Sequence, residues 1–299
     1  MRDAPEMTAA PPPVAAAAEP SFGRRSLHIL SSNPVSFVAL GGFGLIVLAA
    51  IFGPTLAPYD PLLTNASNAL QPPSAEYWFG TDQLGRDVFS RVLVAARLDL
   101  VIAIAAVSLS FVVGAALGTL AGYYGGWVDR ISGRVIDTIM AFPLFVLAMG
   151  IVAAMGNTVE NIIYATAIIN VPFYARVARA EANIRRNAGF VQAAKLSGNG
   201  GLRIVATQLF PNALPPLAVQ ASLNLGWAIL NAAGLSFIGL GVRPPTPEWG
   251  IMVAEGANFI VSGEWWMALF PGAALMLTVF TFNLMGDALR DIVDPRKRT

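Results

Sequence analysis

"VQAAKLSGNGGLRIVATQLFPNALPP" (residues 191–216) is a polar, basic, glycine-broken stretch set between long apolar runs. Helix-to-helix connections usually take about 2–8 residues, yet here the polar connection runs from about 176 to 211. Within it, Phe190, Val191 and Ala194 recur at spacings of three and four, which is one face of a helix. "GNGG" (198–201) then supplies residues that tolerate positive φ and allow a sharp turn. Leu202, Val205 and Leu209 form a second apolar face, and Pro211 is expected to end that second helix. The expected product is a helix–turn–helix with Lys195 and Arg203 beside its apolar face. Such an element either docks in a groove of a soluble partner or lies on anionic lipid.

The flanking sequence says where this element sits. The chain has 299 residues, 55% hydrophobic and 12% charged. Soluble domains carry about 25% charged residues, so lipid is the main solvent here. A net charge of +1 gives no footprint for nucleic acid. Cysteine is absent, which excludes disulfides, thiolate metal sites and a cysteine nucleophile. The single histidine, His28, lies near the N-terminus, so paired His ligation is excluded as well. Neither a metal site nor a catalytic residue is expected.

Six apolar runs approach the roughly 20 residues needed to span a bilayer. They lie at about 35–57, 100–124, 135–155, 159–175, 213–240 and 266–289. The second is rich in small residues, as expected where helices pack closely in lipid. The fold class expected is therefore all-α, a polytopic membrane protein of six helices. Residues 1–30, rich in Ala and Pro, read as a disordered tail. Residues 31–57 hold the first membrane helix and 58–96 an extracytoplasmic loop. Residues 97–292 form a five-helix core with the loop 176–211, and 293–299 a second tail. Six spans put both termini on one side. With that side cytoplasmic, 15 of the 19 Lys and Arg residues lie inside, as the positive-inside rule requires.

The order Gln192-Ala193-Ala194, three residues, Gly198, and Pro211 thirteen positions later resembles the cytoplasmic coupling loop of bacterial ABC importer permeases. Two positions depart from that pattern. Gln192 stands where the family has an acid, leaving a neutral hydrogen bond in place of a charge-assisted one, and Gln208 stands where it has Ile. "FGTDQLGRDVFSRVLVAARLDL" (79–100), "GYYGGWVDRISGRVIDTIMAFP" (122–143), "LSFIGLGVRPPTPEWG" (235–250) and "NLMGDALRDIVDPR" (283–296) resemble the second permease of the dipeptide, oligopeptide and nickel transport branch. Asn231 and Ala232 stand where relatives in that branch carry an acid before "LSF".

The resemblance implies a permease in the bacterial inner membrane, working with a homologous permease, two ATPase subunits and an extracytoplasmic solute-binding protein. It implies peptide cargo, with nickel chelate, glutathione or another small solute as the alternative. It also implies that Gln192, Ala193, Ala194, Lys195, Leu196, Gly198, Arg203 and Pro211 transmit force from the ATPase. The chain has two lysines, Lys195 and Lys297, and neither sits in a Gly-Lys-Ser/Thr P-loop. No cofactor is expected on this chain, with ATP and Mg held by the partner ATPases.

Asn170, Asn224, Asn231 and Ser236 are polar within spans. They either line a substrate path or hydrogen-bond across helices. Pro143 and Pro172 are expected to kink helices. Trp78, Trp265 and Trp266 read as interface anchors. Asp82, Arg86 and Asp87 either contact a partner or pin their own loop. Asp137 is expected to pair with Arg134, and Asp287 with Arg290. The competing class is a stand-alone ion-coupled carrier, for which Asp137 would be the titrating group. An intramembrane protease would need a Ser–His or Asp–Asp pair within the spans, and the sequence offers neither.

Overall fold

The computed structural model describes residues 34–293; the tail segments 1–30 and 294–299, and His28, lie outside the described residues. The protein is a helical bundle. Helix α1 covers Pro34–Leu56, α2 Val88–Tyr124, α3 Gly126–Met140, α4 Leu144–Met155 and α5 Val159–Arg185. Helix α6 covers Gly189–Leu196, and α7 covers Gly201–Ile204, followed by a π turn, Val205–Leu209. Then come α8 Phe210–Phe237, α9 Trp249–Ala257 and α10 Trp266–Val293. Among the described residues the only β pairing is a single bridge, Thr81 to Asp87.

Four of these helical stretches are long and apolar enough to cross a membrane: α1, α2, α10, and α7–α8 taken as one run. α3 and α4 make a fifth if they count as one span, but they meet at 89°. The third span expected over 135–155 is therefore sharply bent, at the proline expected to kink it. Pro143 is the cause: it lacks an N–H and disfavours helical geometry at Phe142. α4 has 12 residues, about 18 Å, shorter than the roughly 30 Å hydrocarbon core, so a pass through it continues into the turns at 141–143 and 156–158. α5 has 27 residues, with Asn161, Asn170 and Pro172 in its first half. Asn161 donates to the Met155 and Gly156 carbonyls at 2.9 Å each, and Asn170 is buried. Pro172 lies buried inside this continuous helix.

α2 and α5 form the tightest seam. Gly114, Gly118 and Gly122 lie at steps of four, one stripe of α2. A Cβ at these positions would stand 2.6 Å from the Val171 carbonyl, 2.2 Å from that of Ala175 and 2.5 Å from that of Arg179. Absent side chains thus let two backbones touch, with Ala175, Ala178 and Ala182 completing the seam. α8 and α10 pack beside it through Leu217, Ile229 and Phe282, and α1 closes the flank, with Phe43 set edge-on to Phe282 at 5.9 Å.

α2 begins at Val88, inside the segment expected to be loop to residue 96, because the Asp87 carboxylate caps it by accepting the Ser90 N–H at 2.8 Å. At 37 residues, or about 55 Å, α2 exceeds the roughly 30 Å hydrocarbon core. Its C-terminus reaches the 189–209 loop, and its N-terminus reaches the opposite end.

Candidate functional site

The loop 189–209 is a rigid two-helix element. α6 ends in a pair of hydrogen bonds. The Asn199 N–H donates to the Ala194 carbonyl at 3.1 Å, and the Gly198 N–H to that of Lys195 at 3.0 Å. This is the Schellman arrangement, which places the residue after the cap in the left-handed region. Gly198 supplies it at φ 78°. Val191, Ile204, Val205 and Leu209 are buried with Ala182 and pack on Leu120, Tyr123 and Ala194. Gly201 lets the second arm close on α2, since a Cβ there would meet the Tyr124 hydroxyl at 2.5 Å. The Lys195 ammonium lies 5.4 Å from the Tyr123 ring centroid. The loop is thereby bolted to the ends of α2 and α5.

The outer face carries the residues singled out from the sequence. Gln192, Ala193, Lys195, Leu196, Gly198 and Arg203 are exposed, while Ala194 is half-buried against the anchor. Leu196 is 90% and Leu202 69% exposed, and Phe190 is also exposed. Two expectations are corrected here. Leu202 and Phe190 do not join the buried face. The π turn shifts the helical register, so that Ile204 packs inward where Leu202 was expected. Pro211 does not end a helix. It follows the π turn inside the continuous helical run Gly201–Phe237, as the second residue of α8.

A cavity of about 350 Å³ opens in the bundle between α4, α5, α8 and α10. Asn170, Asn224 and Asn231 all line it, joined by Gln220 and Asn283, with Phe145, Phe173 and Trp227 among its walls. No charged side chain lines it. The Gln220 side-chain N–H donates to Asn224 Oδ1 at 3.0 Å. Asn170 and Asn231 donate to their own helices, to the Thr166 and Trp227 carbonyls at 2.7 and 2.8 Å. Among the described residues the Asn224 side-chain nitrogen is buried without a hydrogen-bond partner. Gln220 and Asn283 were missed. The spacing 220, 224, 227, 231 on one helical face would have revealed Gln220. Ser236 does not reach the cavity. Its hydroxyl accepts the Val242 N–H at 3.1 Å and holds the corner after α8.

The opposite end is tied by buried charge. The Asp82 carboxylate accepts from Arg86 Nε at 2.6 Å and lies 3.7 Å from Arg91 Nε. Glu255 on α9 stands 3.4 Å from both guanidiniums, each only 1% exposed. Asp82, Arg86 and Asp87 therefore pin their own loop. The Trp266 indole N–H donates to the Thr81 carbonyl at 3.1 Å, so Trp266 is a buried strut, while Trp78 and Trp265 stay exposed. Glu248 caps α9, accepting the Gly250 and Ile251 N–H groups at 2.8 Å each. Burial pushes its carboxyl above the usual range. It meets the buried Asp99 carboxyl, which accepts the Trp249 N–H at 3.1 Å. Asp137 pairs with Arg176 at 3.3 Å, not with Arg134. Asp287 and Arg290, both exposed, form no ion pair with each other. Among the described residues, no group of three or more His, Asp or Glu is placed to hold a metal.

Comparison with known proteins bears on this architecture. Residues 114–299 match the family described as "Binding-protein-dependent transport system inner membrane component". Residues 21–73 match the N-terminal TM domain of oligopeptide transport permease C. The chain is 43% identical over 289 residues to a dipeptide transport system permease protein of Alkalihalophilus pseudofirmus, covering 97% of this chain and 95% of that one. It is also 43% identical to a probable D,D-dipeptide transport system permease protein of Escherichia coli K12, covering 92% of each. A glutathione transport system permease protein of Escherichia coli is 41% identical over 84% of this chain and 83% of its own. The family match covers more than half of the chain and these relatives align over most of their own length, so the chain belongs to the family of binding-protein-dependent transport system inner membrane components.

Proposed function

We propose that this chain is the transmembrane permease subunit of an ATP-driven importer for dipeptides or short oligopeptides. It sits in the bacterial inner membrane with both termini cytoplasmic; α5 and the short α4, extended by its flanking turns, bring the membrane passes to six. A homologous permease forms the other half of the path, and a solute-binding protein delivers cargo from outside. Two ATPase subunits bind ATP and Mg and push on the 189–209 loop. The observation that carries this reading is the loop itself: a rigid element anchored to α2 and α5 that presents Leu196, Leu202 and Phe190 to solvent beside Lys195 and Arg203. Exposed apolar side chains on a fixed frame fit a groove on a partner. Movement of the loop rocks α2 and α5 together, which opens the path to alternate sides.

Peptide cargo is supported by the relatives named for dipeptides and by the cavity. Five side-chain amides offer donors and acceptors to peptide groups, and the absence of charge lets varied side chains pass. The relative named for glutathione supports the second reading, which is also a small peptide. Proton coupling finds no support in the cavity. The buried carboxyls Asp99 and Glu248 bond instead to the N-terminal turn of α9.

Leu196→Asp tests the coupling surface. At 90% exposure the change removes no core packing. Loss of an apolar anchor at an interface costs more than about 1–2 kcal/mol, so ATPase capture by the co-purified permease pair should fall at least about tenfold. Undiminished capture would place the ATPase contact elsewhere.

A further inference from the structure

α3 has a face that neither the bundle nor the coupling loop covers. It leaves α2 through Gly125 and Gly126, both at positive φ, and meets α4 at 89°. Trp127, Val128, Ile131 and Val135 recur at steps of three and four and are all exposed, Trp127 at 72%. The opposite face turns inward, with Ile136 buried. Along one edge of the apolar stripe lie Arg130 and Arg134. Between that edge and α5 runs an open groove of about 460 Å³, lined by both of these with Asp129, Asp137, Arg176 and Arg179. Arg176 pairs with Asp137, and Arg179 with Asp129 through an Nη2–Oδ2 contact of 2.7 Å. Arg130 and Arg134 have no carboxylate partner among the described residues, so the groove carries excess positive charge. The Arg130 guanidinium lies 5.1 Å from the Trp127 ring centroid. Gly126 and Gly133 leave the groove floor open, since a Cβ at either would meet no atom within 4 Å.

We infer that α3 lies along the membrane surface and that this groove binds the headgroup phosphate of an anionic phospholipid. The occupant follows from the juxtaposition. An apolar stripe beside a cationic groove on one helix matches a ligand that carries acyl chains next to a negative phosphate. The right-angle bend turns α3 into the bilayer plane when α4 follows the normal. Its apolar face then sinks about 5–10 Å below the headgroups, with Trp127 at the interfacial level where tryptophan concentrates. Arginine forks suit phosphate oxygens better than an ammonium does. The choline of a zwitterionic lipid would meet the uncompensated Arg130 and Arg134, whereas an anionic headgroup neutralises them. α3 follows directly on Tyr123 and Tyr124, which brace the coupling loop. A lipid held here therefore abuts the element that transmits force.

The test places the full-length chain, in its complex, in phosphatidylcholine nanodiscs. These contain an equal low fraction of either brominated phosphatidylglycerol or brominated phosphatidylcholine. Quenching of Trp127 is obtained by difference from a Trp127→Phe complex. The expected result is a preference for the brominated anionic lipid on the order of tenfold, from two unpaired arginines near the surface. In Arg130→Gln/Arg134→Gln the preference should vanish while quenching by the zwitterionic lipid persists. Equal quenching by both lipids in the wild type would overturn the site. Quenching by neither would show that protein covers α3, and would overturn it too.

Discussion

A valine at position 118 is expected to keep the bundle from assembling. A Cβ there would stand 2.2 Å from the Ala175 carbonyl oxygen and 2.9 Å from its carbon. Those atoms are backbone in the middle of α5 and cannot swing aside as a side chain end can. Overpacking against side chains typically costs about 1–3 kcal/mol. Here α2 and α5 would have to separate along the whole seam of Gly114, Gly118 and Gly122, so a loss above about 3 kcal/mol is expected. Gly118→Val should yield little monodisperse complex in detergent. Gly150→Val is the matched control, since a Cβ at Gly150 meets nothing within 4 Å. Normal yield of the Gly118 variant with an unchanged thermal midpoint would refute the close seam.

The second large effect is expected at Glu255. Its carboxylate lies 3.4 Å from both Arg86 and Arg91, which are almost fully buried. Glu255→Ala leaves two buried guanidiniums to share Asp82. Removing one partner of a buried ion pair costs about 3–5 kcal/mol, chiefly by stranding the other charge. The thermal midpoint should drop sharply, and protease should cut the 58–87 loop faster. Glu255→Gln, which still accepts one hydrogen bond, should fall between. Wild-type stability in Glu255→Ala would mean that the arginines are solvated after all.

Four of the six apolar runs, those in α1, α2, α8 and α10, were legible because lipid imposes length and hydrophobicity on a helix. The α2–α5 seam was legible as small residues in the second run. The pinned turn at Gly198 was legible because a left-handed residue at a helix end favours glycine. Asn170, Asn224 and Asn231 were legible as polar atoms within spans, and the cavity brings the three together. What failed depended on geometry that spacing does not encode. A proline ends a helix or follows a π turn within one with the same letter, so Pro211 was misread. A π turn shifts register without any sequence mark, which reversed Leu202 and Ile204. The partners of Arg91, Asp99 and Glu248 lie on other elements, as far as 164 residues away for Arg91 and Glu255. Local pattern sees no such pair, and so Asp137 was assigned to nearby Arg134 in place of Arg176.

The central claim is that ATP hydrolysed on another chain drives peptide through this one. Uptake of a labelled dipeptide should be measured in proteoliposomes holding the chain, its permease partner and its ATPases, with the binding protein outside or omitted. The account predicts accumulation only with ATP inside and the binding protein outside, and its loss in Leu196→Asp. Uptake by this chain alone, driven by a proton gradient without ATP, would contradict it.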